Sequence, residues 1–161
     1  MAFGTVPVDV PACEDLSVLA PRFAEKVRLL LEAMAAQGLP SRVAETLRTT
    51  ERQAFLYGFG RFYDDGRGTV TNAATTNTTW HGYGLAVDIV HAVMQWDAPE
   101  SYWIALRDTA ERVGLASGAR WTTKDRPHVQ WTPMRVTPSV NAVTLRADGG
   151  LPAVWRAVGA A

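Results

Sequence analysis

Four side chains in two short stretches could together carry out hydrolysis: His81 and Asp88 in WHGYGLAVDI, and Asp125 and His128 in DRPH. His81, Asp88 and His128 offer two imidazole nitrogens and one carboxylate oxygen, a three-ligand set for a zinc ion that leaves a fourth position for water. Zinc in such a site polarises its water and a bound carbonyl, which makes hydrolysis accessible near neutral pH. Asp125, three residues before His128, could take a proton from that water as a general base and return one to a leaving amine. The same residues also admit a plain reading, in which His81 lies in a surface loop, Asp88 caps a turn or pairs with an arginine, and DRPH is only a turn. His91, three residues after Asp88, reads as a rim or core histidine.

The elements around these residues must bring them together. LAVDIV alternates as a strand, with Ala86, Asp88 and Val90 on one face and Leu85, Val87 and Ile89 on the other. A carboxylate on a strand whose faces both look apolar costs on the order of several kcal/mol unless it is paired, and a metal would offset that cost. Gly82 and Gly84 would allow a close turn between His81 and the strand. HVQW reads as a second short strand, with His128 and Gln130 on one face and Val129 and Trp131 on the other, so Gln130 is placed to orient His128. Pro127 restricts the chain entering that strand.

Further out, PRFAEKVRLLLEAMAAQG carries Phe23, Val27, Leu30, Leu31 and Met34 at helical spacing, with Pro21 for the first turn and Gly38 for the stop. VAETL is expected to be a strand leading to Arg48, and Thr50 with Gln53 suits a capping box that opens a helix over ERQAFLYGF. From Gly60 to Thr79 no hydrophobic period is present, and seven of the ten residues before His81 are Thr or Asn, as in a long site-shaping loop. ESYWIALRDTAERVG forms another amphipathic helix, with Trp103, Leu106, Ala110 and Val113 on its apolar side. The C-terminal stretch predicts one or two short helices around Gly149-Gly150. The pattern is α+β: helices packed on a small, mostly antiparallel sheet whose strand order the sequence does not give. One catalytic domain over residues 1–161 is expected, with a core of about 16–131 and a helical extension of about 137–158.

Composition narrows the partners. Sixteen basic residues balance sixteen acidic ones, so net charge provides no steering toward nucleic acid. No run reaches transmembrane length, and MAFGTVPVDV lacks the basic and apolar regions of a secretory signal. A single cysteine, Cys13, excludes an internal disulfide and reads as structural or incidental.

WHGYGLAVD followed by RWTTKDRPHVQW, together with LRTTERQAFLYGFGR and VTNA, resembles the zinc D-alanyl-D-alanine carboxypeptidase and L-alanyl-D-glutamate peptidase family over about residues 16–131. That family includes phage endolysins and has a hedgehog-like, DD-peptidase-like fold. Its H-x-x-G-x-A-x-D motif falls on His81, Gly84, Ala86 and Asp88, and its D-x-P-H motif on Asp125, Pro127 and His128. The resemblance implies His81, Asp88 and His128 as Zn2+ ligands, Asp125 as catalytic acid/base, and a bacterial peptidoglycan stem peptide as substrate. Arg48 matches the family arginine and is expected to hold a substrate carboxylate or developing oxygen charge, a role suited to its planar fork. Tyr83 and Trp121 are candidates for the substrate groove, while Gln53 is assigned first to the helix cap and only second to substrate. The chain departs from the family at SGARW, where many relatives carry paired glycines, and at Thr79, where a Ser is common.

The expected function is a monomeric zinc peptidase of the endolysin type, cutting L-Ala–D-Glu, with release from a host cytoplasm giving access to the wall. Removal of terminal D-Ala is the first alternative. A non-catalytic, zinc-stabilised wall-binding or structural protein is the second.

Overall fold

The computed structural model describes residues 2–161. Four helices surround one four-stranded antiparallel sheet: α1 (Pro21–Ala36), β1 (Ser41–Glu45), α2 (Thr50–Gly58), β2 (Ala86–His91), α3 (Glu100–Arg112), β3 (Ala116–Ser117), β4 (His128–Gln130) and α4 (Val140–Ala157). The strand order is β1-β2-β4-β3. This is the small α+β arrangement that the sequence pattern predicts.

Helix α1 follows its apolar period. Phe23, Val27, Leu30 and Met34 are buried, and each contributes about 1.5–3 kcal/mol of hydrophobic stabilisation. Pro21 opens the helix, and Gly38 stops it by taking a positive φ of 73°. Helix α3 buries Trp103, Leu106 and Ala110 as expected, together with Tyr102 and Thr109. Tyr102, Trp103, Leu106 and Ala110 join Leu85 just before β2, Val87 and Ile89 within it, Val129 of β4 and Trp131 just after it in one continuous core. Trp131 also donates from Nε1 to the Val158 carbonyl at 2.8 Å, which ties the C-terminal helix to the sheet.

Some elements differ from the expectation. Strand β1 ends at Glu45 rather than reaching Leu47, and its register against β2 shifts between Val43 and Glu45. The bulge leaves Ala44 without a partner and sets Glu45 opposite Asp88. Thr49, not Thr50, caps α2, its side-chain oxygen accepting from the Arg52 amide at 3.1 Å. Gln53 is therefore no capping-box partner. The C-terminal stretch does follow the expectation: α4 consists of two helical segments separated at Gly150, which takes a non-helical φ of 69° and ψ of -172°. Strand β3 is absent from the sequence reading, because two residues are too few to display a period.

Candidate metal centre

The sheet register builds the site. Glu45 pairs with Asp88 across β1 and β2, and Asp88 pairs with His128 across β2 and β4, so the three side chains form a row on one face. His81 approaches from the 3-10 turn Trp80–Tyr83, which follows the long polar loop. Thr79 caps this turn by accepting from the His81 amide at 3.4 Å, so the hydroxyl at the position of the family Ser serves the turn. The two glycines of WHGYG act differently. Gly84 takes φ 67° and closes the turn, whereas a Cβ on Gly82 would stand 2.3 Å from the Thr76 carbonyl oxygen.

His81, Asp88 and His128 each point one ligand atom at a common place, all three atoms lying within 4.8 Å of one another. Asp88 Oδ1 is 3.4 Å from His81 Nε2 and 3.8 Å from His128 Nδ1. Neighbouring groups fix which nitrogen faces inward. His81 Nδ1 lies 3.0 Å from the Thr46 carbonyl oxygen, which can only accept; Nδ1 therefore carries a proton, and Nε2 is the nitrogen turned to the cluster. The Gln130 amide donates to the Arg135 carbonyl at 3.0 Å, which turns its oxygen toward His128 Nε2 at 2.8 Å and leaves Nδ1 as the free donor atom. The donor set fits a zinc ion: one carboxylate and two imidazoles, each with a hydrogen-bond partner on its outer nitrogen and its inner nitrogen turned to the cluster.

The electrostatics agree with that fit. Burial and the nearby His81 push His128 down to about 4, so its ring is neutral around pH 7. Burial works to raise Asp88, but His81, Arg48 and His128 outweigh it and hold the carboxyl well below the usual range. Asp125 Oδ2 is 3.9 Å from His128 Nδ1, and partial burial together with the Asp88 charge pushes its carboxyl up to about 7. That value suits a group that must both take and return a proton near neutrality. The Asp125 side chain is 47% exposed and that of Asp88 13%, so the cluster opens to solvent on the Asp125 side.

The remaining site candidates separate by position. Trp121 packs beside His128, its ring centroid 4.7 Å from that of the imidazole and the two planes 48° apart. Tyr83 is fully buried, with its hydroxyl donating to the Asn77 carbonyl at 3.1 Å; packed beneath the polar loop, it cannot line a groove. Gln53 is also fully buried. It accepts from Arg48 Nη1 at 3.1 Å and donates to the Ala73 carbonyl, so it joins α2 to the loop rather than meeting substrate. Arg48 is buried against the site: Nε donates to Glu45 at 2.7 Å, Nη1 to Gln53, and Nη2 is 3.6 Å from Asp88 Oδ2. His91 lies apart and accepts from the Val93 and Met94 amides at 3.1 Å, capping the turn after β2.

Two participants escaped the sequence reading. Thr46 acts through its carbonyl, which no residue type announces. Glu45 reaches the site through the β1 bulge, which nothing in SRVAE announces.

The sequence model of the D-alanyl-D-alanine carboxypeptidase family matches residues 72–131, the span holding His81, Asp88, Asp125 and His128. Among solved structures, the Serratia marcescens L-Ala D-Glu endopeptidase ChiX is 27% identical, with a TM-score of 0.51 over 74% of this chain and 84% of that one. The vancomycin-resistance D,D-pentapeptidase VanY of the VanB-type cassette, crystallised as a mutant with Zn(II), is 20% identical. It has a TM-score of 0.53 over 83% of this chain and 81% of that chain, a likeness of fold. The protein thus has the DD-peptidase-like zinc peptidase fold, related to peptidoglycan-active enzymes, and fold and family together support a catalytic function. Among the described residues no helix is long and apolar enough to cross a membrane.

Proposed function

We propose that the protein is a zinc-dependent peptidoglycan peptidase that removes a terminal D-Ala from stem peptides. The observation carrying this reading is that one family-matched segment supplies all three ligand atoms of the cluster and the half-exposed Asp125 beside it. This order reverses the expectation from sequence, which put L-Ala–D-Glu cleavage first, because the matching family model is that of D-alanyl-D-alanine carboxypeptidases. The endopeptidase reading keeps one specific support, the 27% identity to the Serratia L-Ala D-Glu enzyme.

His81, Asp88 and His128 would hold the zinc, which when bound supplies Lewis-acid polarisation of water and of the scissile carbonyl. The chain's own residues do the rest. Thr46 and Gln130 keep both imidazoles in the ligating tautomer. Asp125, poised near neutrality, takes the proton from the attacking water and hands one to the departing amine. The Trp121 ring screens the His128 side from solvent and gives the peptide a surface to lie against. Access from a host cytoplasm to the wall by release belongs to the same proposal.

Digestion of purified sacculi with the zinc-loaded protein, followed by analysis of the products, tests it. Free D-Ala is the expected product. A new amino-terminal D-Glu assigns the endopeptidase reaction instead, and intact sacculi in the presence of folded, zinc-loaded protein overturn the peptidase reading.

A further inference from the structure

We propose that Glu45 is a positioning residue that acts through Arg48 to aim the Asp88 carboxylate at the metal. The inference rests on the zinc site of the proposed function and adds to it a residue outside the ligand set.

The bulge in β1 is the starting point. Without it Ala44, the next residue after the Val43–Ile89 pair, would stand opposite Asp88; with it, Glu45 does. Two carboxylates on adjacent strands and the same face repel, and here both are withdrawn from water, with side-chain exposures of 6% and 13%. Such an arrangement persists only if cations lie between and beside them. Arg48 and Arg52 fill those places. Glu45 Oε1 accepts from Arg48 Nε at 2.7 Å and from Arg52 Nε at 3.4 Å, while Oε2 accepts from Arg52 Nη2 at 3.4 Å.

The guanidinium of Arg48 is thereby held at two of its three nitrogens, by Glu45 at Nε and by Gln53 at Nη1. The Gln53 amide is itself fixed, since its nitrogen donates to the Ala73 carbonyl. The third nitrogen, Nη2, faces Asp88 Oδ2 at 3.6 Å. The Asp88 carboxylate is therefore divided: Oδ2 toward Arg48, and Oδ1 toward His81 Nε2 and His128 Nδ1. A carboxylate without that partner could turn and offer either oxygen, or both, to an ion. With it, one oxygen is set apart for the metal, and the ligand is organised before the ion arrives.

The same segment also grips His81 through backbone atoms. The Thr46 carbonyl faces the ring at Nδ1, and the Arg48 amide donates to the His81 carbonyl at 3.0 Å. Glu45 thus stands at the head of a four-residue stretch, 45–48, that touches two of the three ligands.

The test is zinc affinity, measured at pH 7 by competition with a chromogenic chelator, for the parent, Glu45→Gln, Arg48→Lys and the double variant, with circular dichroism to verify folding. Glu45→Gln is expected to weaken zinc binding about tenfold to a hundredfold, the range for loss of an outer partner of a metal site. Because Glu45 acts through Arg48, adding Glu45→Gln to Arg48→Lys should change affinity by less than about threefold, a non-additive cycle. Parent-like affinity in folded Glu45→Gln overturns the proposal, as do effects that multiply in the double variant. Should Glu45→Gln fail to fold, Glu45→Asp keeps the charge but withdraws it by one methylene; weakened zinc binding is again expected, and parent-like binding again overturns. Sacculus hydrolysis by the parent is scored separately, so a zinc-binding parent that cuts no peptide defeats the proposed function without bearing on these affinities.

Discussion

The side-chain oxygen of Gln130 lies 2.8 Å from His128 Nε2, and the amide nitrogen of the same Gln130 is bound to the Arg135 carbonyl at 3.0 Å. The second bond decides what the first can do. With its nitrogen committed, the amide can present only oxygen to the ring, and the ring can present only a bare Nδ1 to the ligand cluster. Gln130→Ala removes this constraint and frees His128 to take the other tautomer. Zinc affinity should fall about tenfold to a hundredfold, readable by chelator competition. An unchanged affinity would show that packing alone orients the ring.

Asp125 is close to the cluster but is not one of its three ligands. Asp125→Ala should therefore retain stoichiometric zinc, measured by atomic absorption, while turnover on sacculi falls by about 10²–10⁴. Loss of the metal together with activity would instead make Asp125 part of the binding site.

The zinc-free protein should show two opposing pH effects on stability. His128 is lowered from 6.5 to about 4, so between those values the unfolded chain binds a proton that the folded chain refuses, and stability falls as pH drops through that window. Asp125 is raised from 3.8 to about 7; across that range the folded chain keeps a proton that the unfolded chain has lost, and stability falls as pH rises. Asp125→Asn deletes only the second effect. Thermal melts of zinc-free protein should then rise more steeply from pH 4 to 7 in Asp125→Asn than in the parent. Parallel profiles would count against the raised carboxyl.

Gly118 is the one glycine of SGARW, and it carries the contact on which Asp125 depends. Its carbonyl accepts from the Asp125 amide at 2.9 Å, and a Cβ built on it would lie 2.5 Å from the Asp125 carbonyl oxygen and 3.0 Å from His128 Cβ. Backbone cannot swing aside as a side chain can. Gly118→Ala should displace the 125–128 turn and lower both turnover and zinc affinity, whereas Gly114→Ala, meeting only the tip of Lys26, should spare the metal while straining its own turn. Equal zinc affinity in the two variants would refute the contact's importance.

Several of these relations could be read before the fold was seen. Alternation along LAVDIV puts Asp88 on the face shared with Ala86 and Val90, and alternation in HVQW puts Gln130 beside His128, because period two holds even over three residues when the strand is known to exist. Strand order could not be read, since β3 has two residues and β4 three, and neither holds enough pattern to choose a neighbour. The cap of α2 was misplaced by one residue because Thr49 and Thr50 are chemically alike and only backbone geometry distinguishes them. Glu45 stayed hidden for a related reason: a bulge has no sequence signature here, and without it the face occupied by a residue near the end of β1 is assigned wrongly. What the sequence could not give for Arg48 is its set of neighbours: Nε bonds Glu45, Nη1 bonds Gln53 and Nη2 faces Asp88, all brought to it by the fold.

The three-residue strand His128–Gln130 has a consequence for folding. Side chains change faces with every step along a strand, so sliding β4 by one position against β2 would bring Pro127 or Val129 beside Asp88 and turn the imidazole away. So short a ladder has few hydrogen bonds with which to resist such sliding. A captured ion would penalise every misaligned chain at once, making zinc a proofreader of topology as well as a reagent.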